Sequence, residues 1–197
     1  MSATIPTSTE PIWYKQYAGI ESISGYTPGG YHPVDIGDVY HKRYRVLNKL
    51  GHGAFATFWL VKDLQSFPRR FLSLKIAIAN AKHIAREIQI VFDDFEIKGP
   101  NGTHQCIISE LCGPDIQYLH KGNVLLYSSK VAHCQSTKEL LQYFERSYTV
   151  PITRVDKKPF VPSPHFPKRL THPACSYMDE VFVSTADPSW IHIKICD

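Results

Sequence analysis

Short runs in which apolar and polar residues alternate fill the middle of the chain, each bounded by turn-forming residues. Residues 43–50 (Arg-Tyr-Arg-Val-Leu-Asn-Lys-Leu) and the run from Thr57 to Leu60 flank Gly51-His52-Gly53-Ala54-Phe55-Ala56, a pattern that predicts two strands joined by a turn. From Arg70 to Ala77, period-two alternation puts Leu72, Leu74 and Ile76 on one strand face and Ser73 and Lys75 on the other. The runs 92–98 and 103–110, separated by Gly99-Pro100-Asn101-Gly102, predict a hairpin. Between residues 83 and 91, Ile84, Ile88 and Val91 recur at helical spacing, and Glu87 lies one turn from Ile84 on the adjoining face. The predicted class is therefore α+β, with an antiparallel sheet from Arg43 to Glu110 packed on the helix of residues 84–91.

Outside this block the pattern weakens. Residues 1–28 are rich in Ser, Thr, Pro and Gly and predict a mobile lead-in. Residues 127–189 are irregular and proline-rich apart from Ser136-Thr137-Lys138-Glu139, a capping box that opens a short helix with Leu140, Leu141 and Phe144 on one face. The alternation Trp190-Ile191-His192-Ile193-Lys194-Ile195 predicts one half-buried strand.

Charge and composition narrow the class further. The net charge of +4 comes from scattered Lys and Arg with no long basic run, which argues against direct nucleic-acid binding. Five cysteines form no C-x-x-C pair and ten histidines show no metal spacing, which points to reduced intracellular thiols rather than a disulfide framework or a zinc site. The N-terminus carries no basic and apolar signal pattern, and no run approaches the length of a membrane span. A cytoplasmic or nuclear protein without a membrane partner is expected.

The candidate chemistry sits at Gly51-x-Gly53 and Lys75. A turn without side chains lets backbone N–H groups approach a phosphate, and a strand lysine beside it supplies a point charge. An ordinary β-turn is the alternative for a lone Gly-x-Gly.

The run from Gly29-Gly30-Tyr31-His32 through Ile36-Gly37-Asp38, Arg43-Tyr44 and Lys49-Leu50-Gly51-x-Gly53 to Phe55-Ala56-Thr57-x-Trp59-Leu60 resembles the start of the SR-protein kinases, particularly their fungal relatives. Ala56 stands at the third glycine of the general kinase loop, where Ser is usual in this group. The resemblance implies a protein-kinase-like N-terminal lobe, with a five-stranded antiparallel sheet and helix C, followed by a fragmentary C-lobe. It implies that Leu50, Gly51, Gly53 and Ala56 cover the phosphates of ATP and that Lys75, on one strand face with Ser73, pairs with Glu87 of helix C. A solvated helix glutamate is the alternative for Glu87. Glu110 to Cys112 match the hinge that binds adenine, with Ser109 at the gatekeeper place. Asn123 and Asp197 match the Mg²⁺-binding positions. Tyr118 stands where the catalytic Asp belongs, and a phenol with a reference pKa near ~10 does not readily accept the substrate proton. Asp115 lies three residues too early to replace it, so no catalytic base is intact.

The implied organisation is a flexible segment 1–28, an N-lobe and hinge 29–112, a catalytic-loop remnant 113–126, a partly disordered spacer 127–189 that serves as a docking segment or a bare linker, and a strand 190–197 ending at the metal-binding Asp. The implied activity is phosphoryl transfer from ATP to protein Ser/Thr, with Arg-Ser-rich splicing factors as substrates, impaired or inactive in this chain. Two alternatives remain open: a pseudokinase or truncated interaction module that binds nucleotide or a partner without catalysis, and an incomplete gene model lacking exons at the junctions near Glu87, Pro114 and Asp197.

Overall fold

A computed structural model describes residues 12–81, 90–111, 124–128, 134–141, 146–173 and 191–195. The strand-forming runs appear where their alternation places them: β1 Val39–Tyr40, β2 Tyr44–His52, β3 Ala56–Asp63, β4 Phe71–Ala77, β5 Val91–Gly99 and β6 Gly102–Glu110. They form a wholly antiparallel six-stranded sheet in the order β1-β2-β3-β4-β6-β5. Five of these strands were expected, and β1 is an addition. Its two residues pair with Arg45 and Tyr44, because the turn at 41–43 folds the preceding segment back onto the edge of β2. The helix expected over 84–91 falls, but for its last two residues, outside the described residues; Val91 opens β5.

Period-two alternation sorts the sheet into two faces. Val46, Trp59, Val61, Leu72, Leu74, Ile76, Cys106 and Ile108 form the larger core, closed by Val34 and Tyr44. Leu60 and Phe71 point to the opposite face, where Leu111, Cys134 and Leu140 pack on them with Leu47 and Leu50 at the margin. The edge is tied by Arg43, which donates two hydrogen bonds to Asp63 (2.9 and 2.8 Å), and by Tyr44, whose hydroxyl donates to Asp93 at 2.7 Å. Burial raises the Asp63 carboxyl, but hydrogen bonds from Arg43 and the Gln65 N–H outweigh it and hold the group below the usual carboxylate range.

The capping box forms as its sequence predicts. Ser136 Oγ accepts from the Glu139 N–H (3.1 Å) and Glu139 accepts from the Gln135 N–H (2.9 Å), opening the single turn α1, Thr137–Leu140. Leu140 is buried against the second face; Phe144 lies outside the described residues. The strand β10, Ile191–Ile195, pairs antiparallel with β7, Val124–Ser128, with Ile193 opposite Leu126.

The two segments expected to be mobile or loosely ordered pack on each other in their described parts. Ile20 and Ile23 form a third apolar cluster with Ile152 and Leu170, flanked by Tyr14, Tyr17, Phe160 and Phe166. β8, Thr149–Val150, pairs there with β9, Leu170–Thr171, and the Lys15 N–H donates to the Thr153 carbonyl at 2.8 Å. Neither segment holds enough apolar residues for a core of its own, but each supplies half of one. In the described part of the chain, residues 12–28 thus run as a strap against residues 146–173.

Candidate functional site

Register brings the glycine-rich turn and the strand lysine into one row. Gly51 lies opposite Phe58, and Phe58 lies opposite Lys75 on the next strand, so the three share a face. The Lys75 ammonium sits 5.4 Å from the centre of the Phe58 ring. In the neighbouring row Leu60 is opposite Ser73, and Ser73 is opposite Ser109. Ser73 and Ser109 are both buried. Leu50 flanks this row through the Leu60–Leu140 cluster, so its apolar end is covered by Cys134 and Leu140.

The turn over that face is tight. The Gly53 N–H donates to the Ala56 carbonyl at 2.8 Å, and the Ile78 N–H holds the Phe55 carbonyl at 2.9 Å. Ala56 is buried while Phe55 projects outward. Neither Gly51 nor Gly53 has a positive φ, and a Cβ built on either meets no atom of the described residues within 4 Å. The fold itself makes no demand for glycine at these two positions. What they provide is open space above the Gly51–Phe58–Lys75 row.

Glu110 ends β6 opposite Leu72. Its N–H donates to the Ile90 carbonyl (3.2 Å), and its carboxylate accepts from the Ile90 N–H (3.3 Å). The Glu110 N–H is thus already engaged by the Ile90 backbone. Glu87, Cys112, Tyr118, Asn123 and Asp197 lie outside the described residues. Of the expected site, Leu50, Gly51, Gly53, Ala56, Ser73, Lys75 and Glu110 lie on one sheet and its turn.

Two participants escaped the sequence reading. Phe58 follows the loop at the position where the general kinase signature has Val, so its ring rather than a small aliphatic group borders Lys75. Tyr31 donates its hydroxyl to the Gly53 carbonyl (2.7 Å) and lies 3.4 Å from that of Ala54. The signal for Phe58 was its place in the motif; Tyr31 stands in the Gly29-Gly30-Tyr31-His32 run that opens the resemblance, but nothing in that run tied it to a turn 22 residues away.

No protein-family model matches the chain. SRSF protein kinase 3 of Homo sapiens is 36% identical over 127 residues, which cover 52% of this chain and 22% of the relative. A serine/threonine protein kinase of Aspergillus fumigatus is 36% identical over 109 residues, covering 46% and 27% of the two chains. Serine/threonine-protein kinase spk-1 of Caenorhabditis elegans is 33% identical over 146 residues, covering 60% and 14%. The chain thus spans between 14% and 27% of the length of these relatives. Over about half its residues the chain is similar to SR-protein-type serine/threonine kinases, and its antiparallel sheet, with few helices among the described residues, fits the N-terminal lobe of such a kinase.

Proposed function

We propose that this chain carries the ATP-binding lobe of a serine/threonine protein kinase of the SR-protein type. The observation that carries the reading is the Gly51–Phe58–Lys75 row beneath a turn whose two glycines leave open space. Backbone N–H groups of the turn would face the phosphates, Lys75 would neutralise them with Glu87 as its partner, and Leu50, Ser73 and the hinge from Glu110 to Cys112 would border the adenine. Asn123 and Asp197 would hold Mg²⁺, which would screen the charge of the phosphoryl group that ATP supplies. Tyr118 at the base position makes transfer by this chain impaired. Arg-Ser-rich proteins are the substrate class of the kinase type. The acting compartment is cytoplasmic or nuclear; no helix among the described residues is long and apolar enough to cross a membrane.

The test is the Mg-ATP dependence of the melting temperature. A ligand that binds only the folded state adds about 2.7 kcal/mol at 100 times its dissociation constant. Mg-ATP is expected to raise the melting temperature of the unmodified protein and to do so less in Lys75→Met. Equal shifts in both proteins remove Lys75 from the site.

A further inference from the structure

The segment before the sheet is built to deliver one hydroxyl to the glycine-rich turn. Gly25, Gly29 and Gly30 all lie where a side chain is impossible without a shift. A Cβ at Gly25 would fall 2.7 Å from the Tyr31 ring, one at Gly29 2.2 Å from Asn80 Nδ2, and one at Gly30 1.9 Å from the Gly25 carbonyl. The backbone is clamped there as well. The Tyr31 N–H donates to Gly25 (2.8 Å), while Ala79 and Asn80 donate to Gly30 and Gly29 (3.1 and 2.9 Å). Asn101, buried in the β5–β6 turn, donates from Nδ2 to the Tyr31 carbonyl (2.6 Å) and to the His165 carbonyl (3.0 Å). Its Oδ1 accepts from His165 Nδ1 at 2.6 Å, which fixes that tautomer. A continuous set of hydrogen bonds therefore runs from residue 165 through Asn101 and Tyr31 to Gly53.

A trans peptide plane holds C=O and N–H on opposite sides. Holding the Gly53 and Ala54 carbonyls on the Tyr31 side turns the N–H groups of Ala54 and Phe55 to the other side of the turn. We propose that Tyr31 is a positioning residue for nucleotide phosphate: its hydroxyl presets these two N–H groups, and Asn101 and His165 preset Tyr31. The proposal rests on the nucleotide-binding reading above. Burial and the Glu21 carboxylate raise the Tyr31 hydroxyl above the ordinary tyrosine value, so it keeps the proton it donates. Preset donors cost no reorganisation when the anion arrives, which is why a group that touches no phosphate can alter its affinity.

Tyr31→Phe removes the hydroxyl and keeps the ring against Gly25 and Tyr26. Amide hydrogen exchange of residues 53–56 in the nucleotide-free protein is expected to accelerate while the larger core keeps its protection. Mg-ATP affinity is expected to fall about 2- to 10-fold, the worth of one hydrogen bond. A purely structural role would lower the melting temperature and leave loop exchange and affinity in proportion to it. Unchanged exchange at 53–56, or faster exchange with unaltered affinity, overturns the proposal. If Tyr31→Phe does not fold, His165→Ala, remote from the sheet core, is held to the same two readouts. An unmodified protein that binds no Mg-ATP refutes the nucleotide site, while the exchange comparison still judges Tyr31 as the group that holds the turn.

Discussion

Lys49 and Glu21 form an ion pair in the interior, with 0% and 1% of their side chains exposed. Tyr26 donates its hydroxyl to the other oxygen of the same carboxylate, and the Lys49 ammonium lies 5.4 Å from the Trp59 ring. Burial holds Lys49 below the ordinary lysine value, against the opposing pull of Glu21. The pair fastens the strap of residues 12–30 to β2 just before the glycine-rich turn. Removing one partner strands a charge in the interior, which costs about 3–5 kcal/mol, whereas replacing both by apolar groups can be neutral. Lys49→Met is therefore expected to lower the urea midpoint strongly, and Lys49→Met with Glu21→Leu to recover most of the loss. Singles that cost less than about 1 kcal/mol would show that the pair admits water.

A second prediction concerns acid. The His32 and His104 rings meet edge to face at 4.9 Å, with His32 Nδ1 and His104 Nε2 buried and lacking a hydrogen-bond partner among the described residues. Burial, then the neighbouring His104, lowers His32 to about 4; burial lowers His104 against the opposing effect of the Ala77 carbonyl it bonds at 2.9 Å. Both shifts are downward, so the unfolded chain binds protons that the folded chain refuses. The stability from these groups is complete above the unfolded value of ~6.5 and is lost as pH falls, for His32 until about 4, at up to about 1.4 kcal/mol per pH unit for each histidine. Urea midpoints at pH 7.5, 6 and 5 should fall in that order, and His32→Phe should flatten the series. A midpoint independent of pH across this window contradicts the assignment.

The glycines divide by purpose. Gly29→Ala and Gly30→Ala push a Cβ into Asn80 or the Gly25 backbone, and Gly29 also has φ at +88°, so each is expected to cost about 1–3 kcal/mol. Gly51→Ala and Gly53→Ala place a Cβ that meets no atom of the described residues within 4 Å and should change stability by within about 0.5 kcal/mol. If the proposed nucleotide site is right, the same two substitutions should reduce the Mg-ATP thermal shift, because a methyl would fill space that the proposal gives to the phosphates. Calorimetry of the four variants with and without Mg-ATP measures both effects, and a large loss of stability in Gly53→Ala would mean that the turn needs its glycine for folding.

Local signals were enough for the sheet. Alternation at Leu72, Leu74 and Ile76 against Ser73 and Lys75, the Gly-Pro-Asn-Gly turn and the Ser136–Glu139 cap each depend on neighbours within a few residues, and the structure has all three where the chain places them. The strand face of Lys75 was equally legible, but the register that sets Gly51 opposite Phe58 was not, because the β2–β3 pairing shifts between Val46 and Asn48 and again between Lys49 and Gly51. The packing of Ile20 and Ile23 on Ile152 and Leu170 was not, because those partners lie about 130 to 150 residues apart in segments whose composition, taken alone, indicates disorder. Nor could the sequence single out Asn101, which reads as an ordinary turn residue and is in fact the buried joint between Tyr31 and His165. Side-chain alternation, a local property of an extended backbone, assigned the faces of β4 from the chain alone but not those of β2, where two irregularities in its pairing with β3 bring Leu47 and Leu50 to one cluster. Which distant segments hold the turn above Lys75 was settled by packing in three dimensions, because apolar burial and buried polar groups find their partners by proximity in space rather than along the chain.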